Sequence, residues 1–242
     1  MSSKESKIDK ETLKDIVEWD VKNWSNGLKY WEKETRLDLS KCRALEIGAR
    51  NGGCSLWLAL HGCSVVCSDL NGPTEKAKKI HKKYGVSNLI EYASVDVTNI
   101  PYEDNTFDIV IFKSVIGGVG RDDHKERQTT AFREINRVLK HSGELFFAEN
   151  LDASSLHKFI RKTIMGKFRK YRWTTSWRWI NLDELEEFLS PFSSVKYATY
   201  GFFGAFHLHI YPIGIFLGTI DKFIEQFTPK SWKYIAFGIA IK

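Results

Sequence analysis

Residues 43–53 read Arg43-Ala44-Leu45-Glu46-Ile47-Gly48-Ala49-Arg50-Asn51-Gly52-Gly53. A short apolar run ends in a glycine-rich bend, and Gly53–His61 (GCSLWLALH) follows with helical character. This is a strand that turns directly into a helix. Glycine lets the backbone bend tightly and approach a ligand with no Cβ in the way. The first turn of the helix offers unpaired N–H groups, which suit the carboxylate or phosphate end of a nucleotide-like cofactor. The bend alone does not choose that cofactor. A dinucleotide GxGxxG fingerprint asks for glycine at 48, 50 and 53. The pattern (D/E)xGxGxG asks for an acid at 46 and glycine at 48, 50 and 52. Both miss at Arg50, and Glu46 favours the second.

Outward from this bend, strands and helices alternate. Ser64–Ser68, Leu89–Ala93, Phe107–Phe112 and Glu144–Ala148 read as strands; Thr74–Tyr84 and Gln128–Leu139 read as helices. Five strands in about a hundred residues predict an α/β fold, a doubly wound, mostly parallel Rossmann-like sheet. Phe107–Phe112 (FDIVIF) is the continuous apolar kind of strand that such a sheet buries on both faces. Upstream, Lys10–Glu34 has helical spacing, and Asn26-Gly27 is expected to break it in two. Downstream, Ser154–Met165 and Leu182–Leu189 read as helices, the second capped by Asn181. Ser194–Tyr200 and Tyr234–Ile241 are two late strands, bringing the total to seven. We expect one domain over 1–242, with N-terminal helices (1–40), a cofactor-binding core (41–150), and a substrate-side insert with closing strands (151–242).

Two further acids narrow the cofactor. Asp69 ends the second strand, 23 residues after Glu46, where a carboxylate can accept hydrogen bonds from both ribose hydroxyls. Asp96 lies just past the third strand, where it can take an adenine amine while Val97 offers its backbone N–H. A nicotinamide oxidoreductase would share the sheet, but Asp96 and the miss at Arg50 argue against it.

In order and spacing, ALEIGARNGG (44–53), VVCSDL (65–70), SVDVTNIP (94–101), FDIVIFKSVIGGVG (107–120) and INRVLKHSGELFF (135–147) resemble the class I S-adenosylmethionine (SAM)-dependent methyltransferases. The likeness is greatest to the branch with the methyltransferase type 11 pattern, and it covers roughly residues 40–150. The resemblance implies that SAM is the cofactor. Glu46 and Gly48 would shape the methionine pocket, Asp69 would bind the ribose, and Asp96 with Val97 the adenine. Lys113 and Ser114 would border the methionine and the methyl group. Ala49, Gly52 and Leu70 complete the expected cofactor contacts. The resemblance also implies that the late strands form an antiparallel C-terminal hairpin at the sheet edge. Arg50 departs from the pattern: its long side chain must point away from the cofactor or pair with its carboxylate.

The acceptor is read from the rest of the chain. For a hydroxyl acceptor a base helps, and histidine titrates near neutrality. His124, in the loop after the fourth strand, is the first candidate, and His207 (with His209) the alternative. His61, His81 and His141 fall at helix ends or on solvated faces. The stretch Lys158–Trp179 interleaves basic residues with aromatic ones, including Arg172, Trp173 and Trp177. Arginine forks suit anionic groups, and flat rings stack on sugars. An anionic sugar or glycan acceptor, O-methylated in surface-polysaccharide or lipid-linked glycan synthesis, is the expectation; a small metabolite, lipid or quinone is the rival.

The net charge of +6 also suits nucleic acid or an anionic membrane, so a nucleic-acid-binding or RNA-modifying protein is the alternative from another class. Tyr197–Ile220 carries no Lys, Arg, Asp or Glu and is long enough to cross a bilayer, but Pro212, four glycines and two histidines interrupt it. It reads as core or homodimer face, with peripheral membrane contact as the second reading. Cys42, Cys54, Cys63 and Cys67 form no CxxC pair and have no histidine at ligand spacing, so no metal is expected. Free thiols and a polar N-terminus without an apolar signal core point to the cytoplasm.

Overall fold

A computed structural model describes residues 8–163, 176–206 and 211–242. A seven-stranded sheet runs through the molecule in the order β3-β2-β1-β4-β5-β7-β6. Its strands are β1 (Arg43–Ile47), β2 (Ser64–Asp69), β3 (Ile90–Ser94), β4 (Phe107–Lys113), β5 (Leu139–Asn150), β6 (Ser194–Tyr200) and β7 (Ile235–Ile241). The first five pair in parallel, and β7 lies antiparallel between β5 and β6. The doubly wound sheet with its antiparallel C-terminal strands is therefore the expected one. The strand order reverses beside β1, so the crevice for a ligand opens at the C-terminal tips of β1 and β4.

The helices are α1 (Lys10–Val17), α2 (Val21–Glu34), α3 (Gly53–Leu60), α4 (Glu75–Lys83), α5 (Ile116–Val119), α6 (Lys125–Val138), α7 (Ser155–Thr163), α8 (Leu182–Leu189) and α9 (Tyr211–Ile224). Each sheet face carries its own core. On one, Trp24, Trp31, Trp57 and Phe146 pack beneath α1–α4. On the other, Phe112, Phe132, Ile135, Phe147 and Phe188 pack beneath α6 and α8. Trp31 lies 5.7 Å from Trp57 and 5.9 Å from Phe146, centroid to centroid. Much of the tryptophan excess is thus spent on burial, where large rings contribute most.

Two boundaries differ most from the sequence reading. The N-terminal helical stretch breaks at Glu18–Asp20, not at Asn26-Gly27. Glu18 and Asp20 take left-handed φ values of 69° and 41°. Gly27 stays inside α2 because the helix lies against β7 there: a Cβ would sit 3.6 Å from Phe237. Asn26 donates its Nδ2 to the Asn23 carbonyl at 2.9 Å and so does not interrupt the helix. Strand β5 begins at Leu139, five residues earlier than read, because Leu139 already pairs with Phe107 on β4. The cap on α8 is as expected: Asn181 and Glu184 form a reciprocal capping box.

Candidate active site

The loop after β1 is built around left-handed residues. Gly48, Arg50 and Gly52 have φ of 63°, 49° and 71°. A Cβ at Gly48 would come within 2.5 Å of Val115, so the turn after β4 packs directly on the glycine bend. His81, fully buried and not on a solvated face, pins the loop from below. Its Nε2 meets the Gly52 carbonyl at 2.9 Å and its Nδ1 meets the Tyr92 hydroxyl at 2.8 Å. Glu46 is buried and turned into the start of α3, where it accepts from the backbone N–H of Ser55 (2.8 Å) and Cys54 (3.2 Å) and from the Ser55 hydroxyl. Burial outweighs these bonds and pushes its carboxyl up to about 7. Glu46 holds the first turn of α3, and its oxygens face protein.

Arg50 takes a glycine-like backbone and sends its side chain towards the N-terminal link. Its guanidinium lies 3.9 Å from Glu18 and about as close to Trp19 as cation–π contact requires (6.0 Å). Its N–H donates to Asp69 Oδ2 at 2.8 Å, which fixes that carboxylate at the tip of β2 beside the bend. Leu70 follows, largely exposed for so apolar a residue. Asp96 accepts from the Thr98 N–H (2.9 Å) and hydroxyl (2.7 Å) through Oδ1, while Oδ2 faces Arg127 at 3.9 Å. Burial works to raise its pKa, yet the Thr98 bonds prevail and it is lowered, so Asp96 stays an acceptor. Val97 is buried behind it. Ala49, also buried, donates its N–H to Ser68 across the crevice mouth at 2.8 Å.

Lys113 ends β4, one residue beyond the Ile47–Phe112 pair, and so stands beside Gly48. Its ammonium is buried without a hydrogen-bond partner. It lies 3.0 Å from the Trp19 ring centroid and 5.1 Å from that of Trp24. Burial lowers its pKa to about 8. Ser114, with φ of 57°, accepts from Asn150 Nδ2 at 2.5 Å. Glu149, which sequence reasoning missed, accepts from the N–H groups of Val115 (2.8 Å), Ile116 (2.7 Å) and Asn150 (2.9 Å) and holds the turn after β4. An acid closing a buried apolar strand was its signal. Glu18 and Trp19 were missed as well, because helical periodicity hid the kink that carries them to the bend.

Of the residues read as facing the acceptor, Trp177 packs on Gly117 and Gly118 of α5. Its chain neighbour Arg178 is fixed by Asp123 (3.0 Å), Gln128 (2.8 Å) and Glu184. His124 sits on an exposed turn, its Nδ1 2.6 Å from Glu126. Arg172, Trp173, His207 and His209 lie outside the described residues. Among the described residues no three His, Cys, Asp or Glu side chains gather as metal ligands.

Comparison with known proteins places this fold among the methyltransferases. A family model described as "Methyltransferase domain" matches residues 45–147. The glycine/sarcosine/dimethylglycine N-methyltransferase of Actinopolyspora halophila is 29% identical over 126 residues, 51% of this chain and 21% of that protein. The sarcosine/dimethylglycine N-methyltransferase of Halorhodospira halochloris is 28% identical over 51% of this chain and 43% of its own length. The chain thus spans less than half the length of these relatives. Among solved structures, the MccD protein superposes with a TM-score of 0.60 at 19% identity, covering 90% of this chain and 96% of that one. Phosphoethanolamine N-methyltransferase 2 of Haemonchus contortus, solved with S-adenosylhomocysteine, gives 0.61 at 19% identity over 90% and 52%. Residues 45–147 therefore match a methyltransferase-domain model, and the chain shares its fold with these solved structures.

Proposed function

We propose that this chain binds SAM across the tips of β1, β2 and β3 and transfers its methyl group to a small-molecule acceptor that enters beside Trp177. The observation that carries the reading is Lys113. A buried ammonium with no partner is costly, and one beside a glycine bend that cannot tolerate a Cβ is suited to an anionic ligand group. The carboxylate of the methionine moiety is such a group. Asp69 would hold the ribose, Asp96 the adenine amine, and Leu70 gives the adenine ring an apolar neighbour. When bound, SAM supplies a methyl already activated by its sulfonium. The protein's own part is to orient the acceptor and exclude water. His124 is our candidate base for a hydroxyl acceptor; a sugar hydroxyl on an anionic glycan fits the basic, aromatic stretch 158–179. A second reading is an amine acceptor, favoured by the N-methyltransferase relatives.

Calorimetry with S-adenosylhomocysteine and with NADH tests the cofactor. Only the first should bind, and Asp69→Ala and Asp96→Ala should each weaken it by about tenfold or more. Binding of NADH alone would overturn the reading. His124→Ala should spare that affinity and slow turnover on a hydroxyl acceptor by about a hundredfold; an unchanged rate would remove His124 as the base.

A further inference from the structure

The described residues include eight large apolar side chains that are exposed, and six of them fall between Leu156 and Trp232: Leu156, Phe159, Phe216, Phe223, Phe227 and Trp232. Phe216, Phe223 and Phe227 are 65%, 73% and 77% exposed. Steps of seven and four residues put them on one stripe of α9 and the turn that follows it. The opposite side of α9 is the packed one. There Asp221 is buried and accepts the backbone N–H groups of Phe202 (3.0 Å), Phe203 (2.7 Å) and Gly204 (2.7 Å). Among its described side chains, the helix is thus anchored by a polar residue while its phenylalanines are turned to solvent. Contiguous exposed apolar surface of this kind marks an interaction site.

Charge identifies the occupant. The two acids of residues 216–232 face inward: Asp221 is buried, and Glu225 pairs with Lys233 and faces the Gly201 N–H. The charged residues left exposed are Lys222 and Lys230, and Trp232 lies at the rim, half exposed. Helix α7 has a similar make-up, with exposed Leu156 and Phe159 beside exposed Lys162 and Lys158, the latter paired with Asp152 just before the helix, and no acid in its length. The two elements converge on the Phe202–Phe206 turn. His157 of α7 stacks on Phe206 at 4.5 Å and meets Phe202 edge-on at 4.7 Å, while Trp232 lies 6.1 Å from Phe202. Phenylalanines on one face, lysines flanking them and no outward acid is the composition of an element lying in the interface of an anionic bilayer. No described helix is long and apolar enough to cross a membrane.

Topology places this surface at the site. α7 leaves the C-terminal tip of β5, and α9 joins β6 to β7 at the end where Tyr200 and Asn150 both pair with Ile235. That is the edge at which the glycine bend and Lys113 lie. We infer that the α7–α9 surface docks the protein on an anionic phospholipid bilayer, with the mouth of the site towards the lipid. The inference about the surface stands alone; that the acceptor is a membrane-borne, lipid-linked molecule rests on the methyltransferase reading above.

Co-sedimentation of the full chain tests it, using vesicles of phosphatidylcholine with phosphatidylglycerol and of phosphatidylcholine alone. The mixed vesicles should bring the protein down, and added salt should release part of it. Phe223→Ser with Phe227→Ser should reduce binding about tenfold or more, and Lys222→Glu with Lys230→Glu should reduce binding to the anionic vesicles alone. Thermal stabilisation by S-adenosylhomocysteine should be unchanged in both variants, showing that they fold with the site intact. Protein that stays in solution with the mixed vesicles, or a phenylalanine variant that sediments like the parent, would overturn the inference. So would analytical ultracentrifugation showing a dimer that this variant abolishes, since the face would then belong to a second copy. Vesicle binding without any stabilisation by S-adenosylhomocysteine would sink the methyltransferase reading and leave the docking surface standing.

Discussion

Lys113 is the residue whose state most affects the site. Its ammonium loses water on burial and, with the Trp19 and Trp24 faces beside it and the Glu18 and Glu46 carboxylates acting from further off, has no hydrogen-bond acceptor among the described residues. If a carboxylate completes this environment, Lys113→Met should lower affinity for S-adenosylhomocysteine by tens of fold, about 1.5–3 kcal/mol. Methylthioadenosine, which lacks the amino-acid end, should bind both proteins alike. Calorimetry with the two compounds separates the outcomes, and an equal loss for both would deny Lys113 this partner. The pH dependence has opposite signs for ligand and fold. Because the pKa in the fold is about 8, affinity for S-adenosylhomocysteine should fall as pH rises through 8. The unliganded protein should gain stability from there to the ordinary lysine value near 10.4, since only the unfolded chain still binds the proton in that window. The positions of Asp69, Asp96 and the bend were legible in the sequence because each stands at or just past the end of a strand with a recognisable period. The environment of Lys113 was not. Its tryptophans come from the kinked link (Trp19) and the helix after it (Trp24), more than eighty residues upstream, and no local pattern reports that approach.

At the scale of elements, the turn after β4 and the start of α3 depend on single groups. Glu149 satisfies three backbone N–H groups that would otherwise be buried without partners. Glu149→Ala should cost about 3 kcal/mol or more in urea unfolding, and it should weaken S-adenosylhomocysteine as well, because Val115 abuts Gly48. Gly53 lets α1 rest on α3, and a Cβ there would collide with the Ile16 carbonyl. Gly53→Ala should therefore displace the N-terminal helices at a cost of about 1–3 kcal/mol, measurable as a lowered midpoint and faster proteolysis near Glu18. Helix and strand identities followed from periodicity, but this packing did not. The glycine at 27 illustrates why: in sequence Asn-Gly signals a break, whereas in the fold it is a buried position inside α2 beside Phe237.

Across the whole molecule, the two ends of the chain meet in one buried polar cluster. Asp20, beside the kink, accepts from Tyr234, while Asn23 donates to Tyr234 (2.9 Å) and to Asp221 (3.2 Å). Burial pushes the Asp20 carboxyl from 3.8 up to about 7, overcoming the hydrogen bonds from Tyr234 and Asn23. Between those values the folded state holds a proton that the unfolded chain has released, so stability declines as pH climbs through that window. Asp20→Asn keeps an acceptor for Tyr234 and removes the titration. Its unfolding free energy should vary less steeply between pH 4 and 7 than the parent's, and an equally steep profile would assign the slope elsewhere. The cluster links the kink beside the glycine bend to the helix that carries the exposed phenylalanines, a connection between distant segments that sequence patterns do not display.

The position of β7, between β5 and β6, bears on how the protein is made. A ribosome releases the five parallel strands first, and β5 then waits with an open edge. β6 emerges next, but its only neighbour in the sheet is still to come. Both gaps close when residues 235–241 arrive and slide between them. Until that moment a nascent chain carries an apolar ribbon ready to pair with strangers, and agents that shield such ribbons should matter most during the final segment of synthesis.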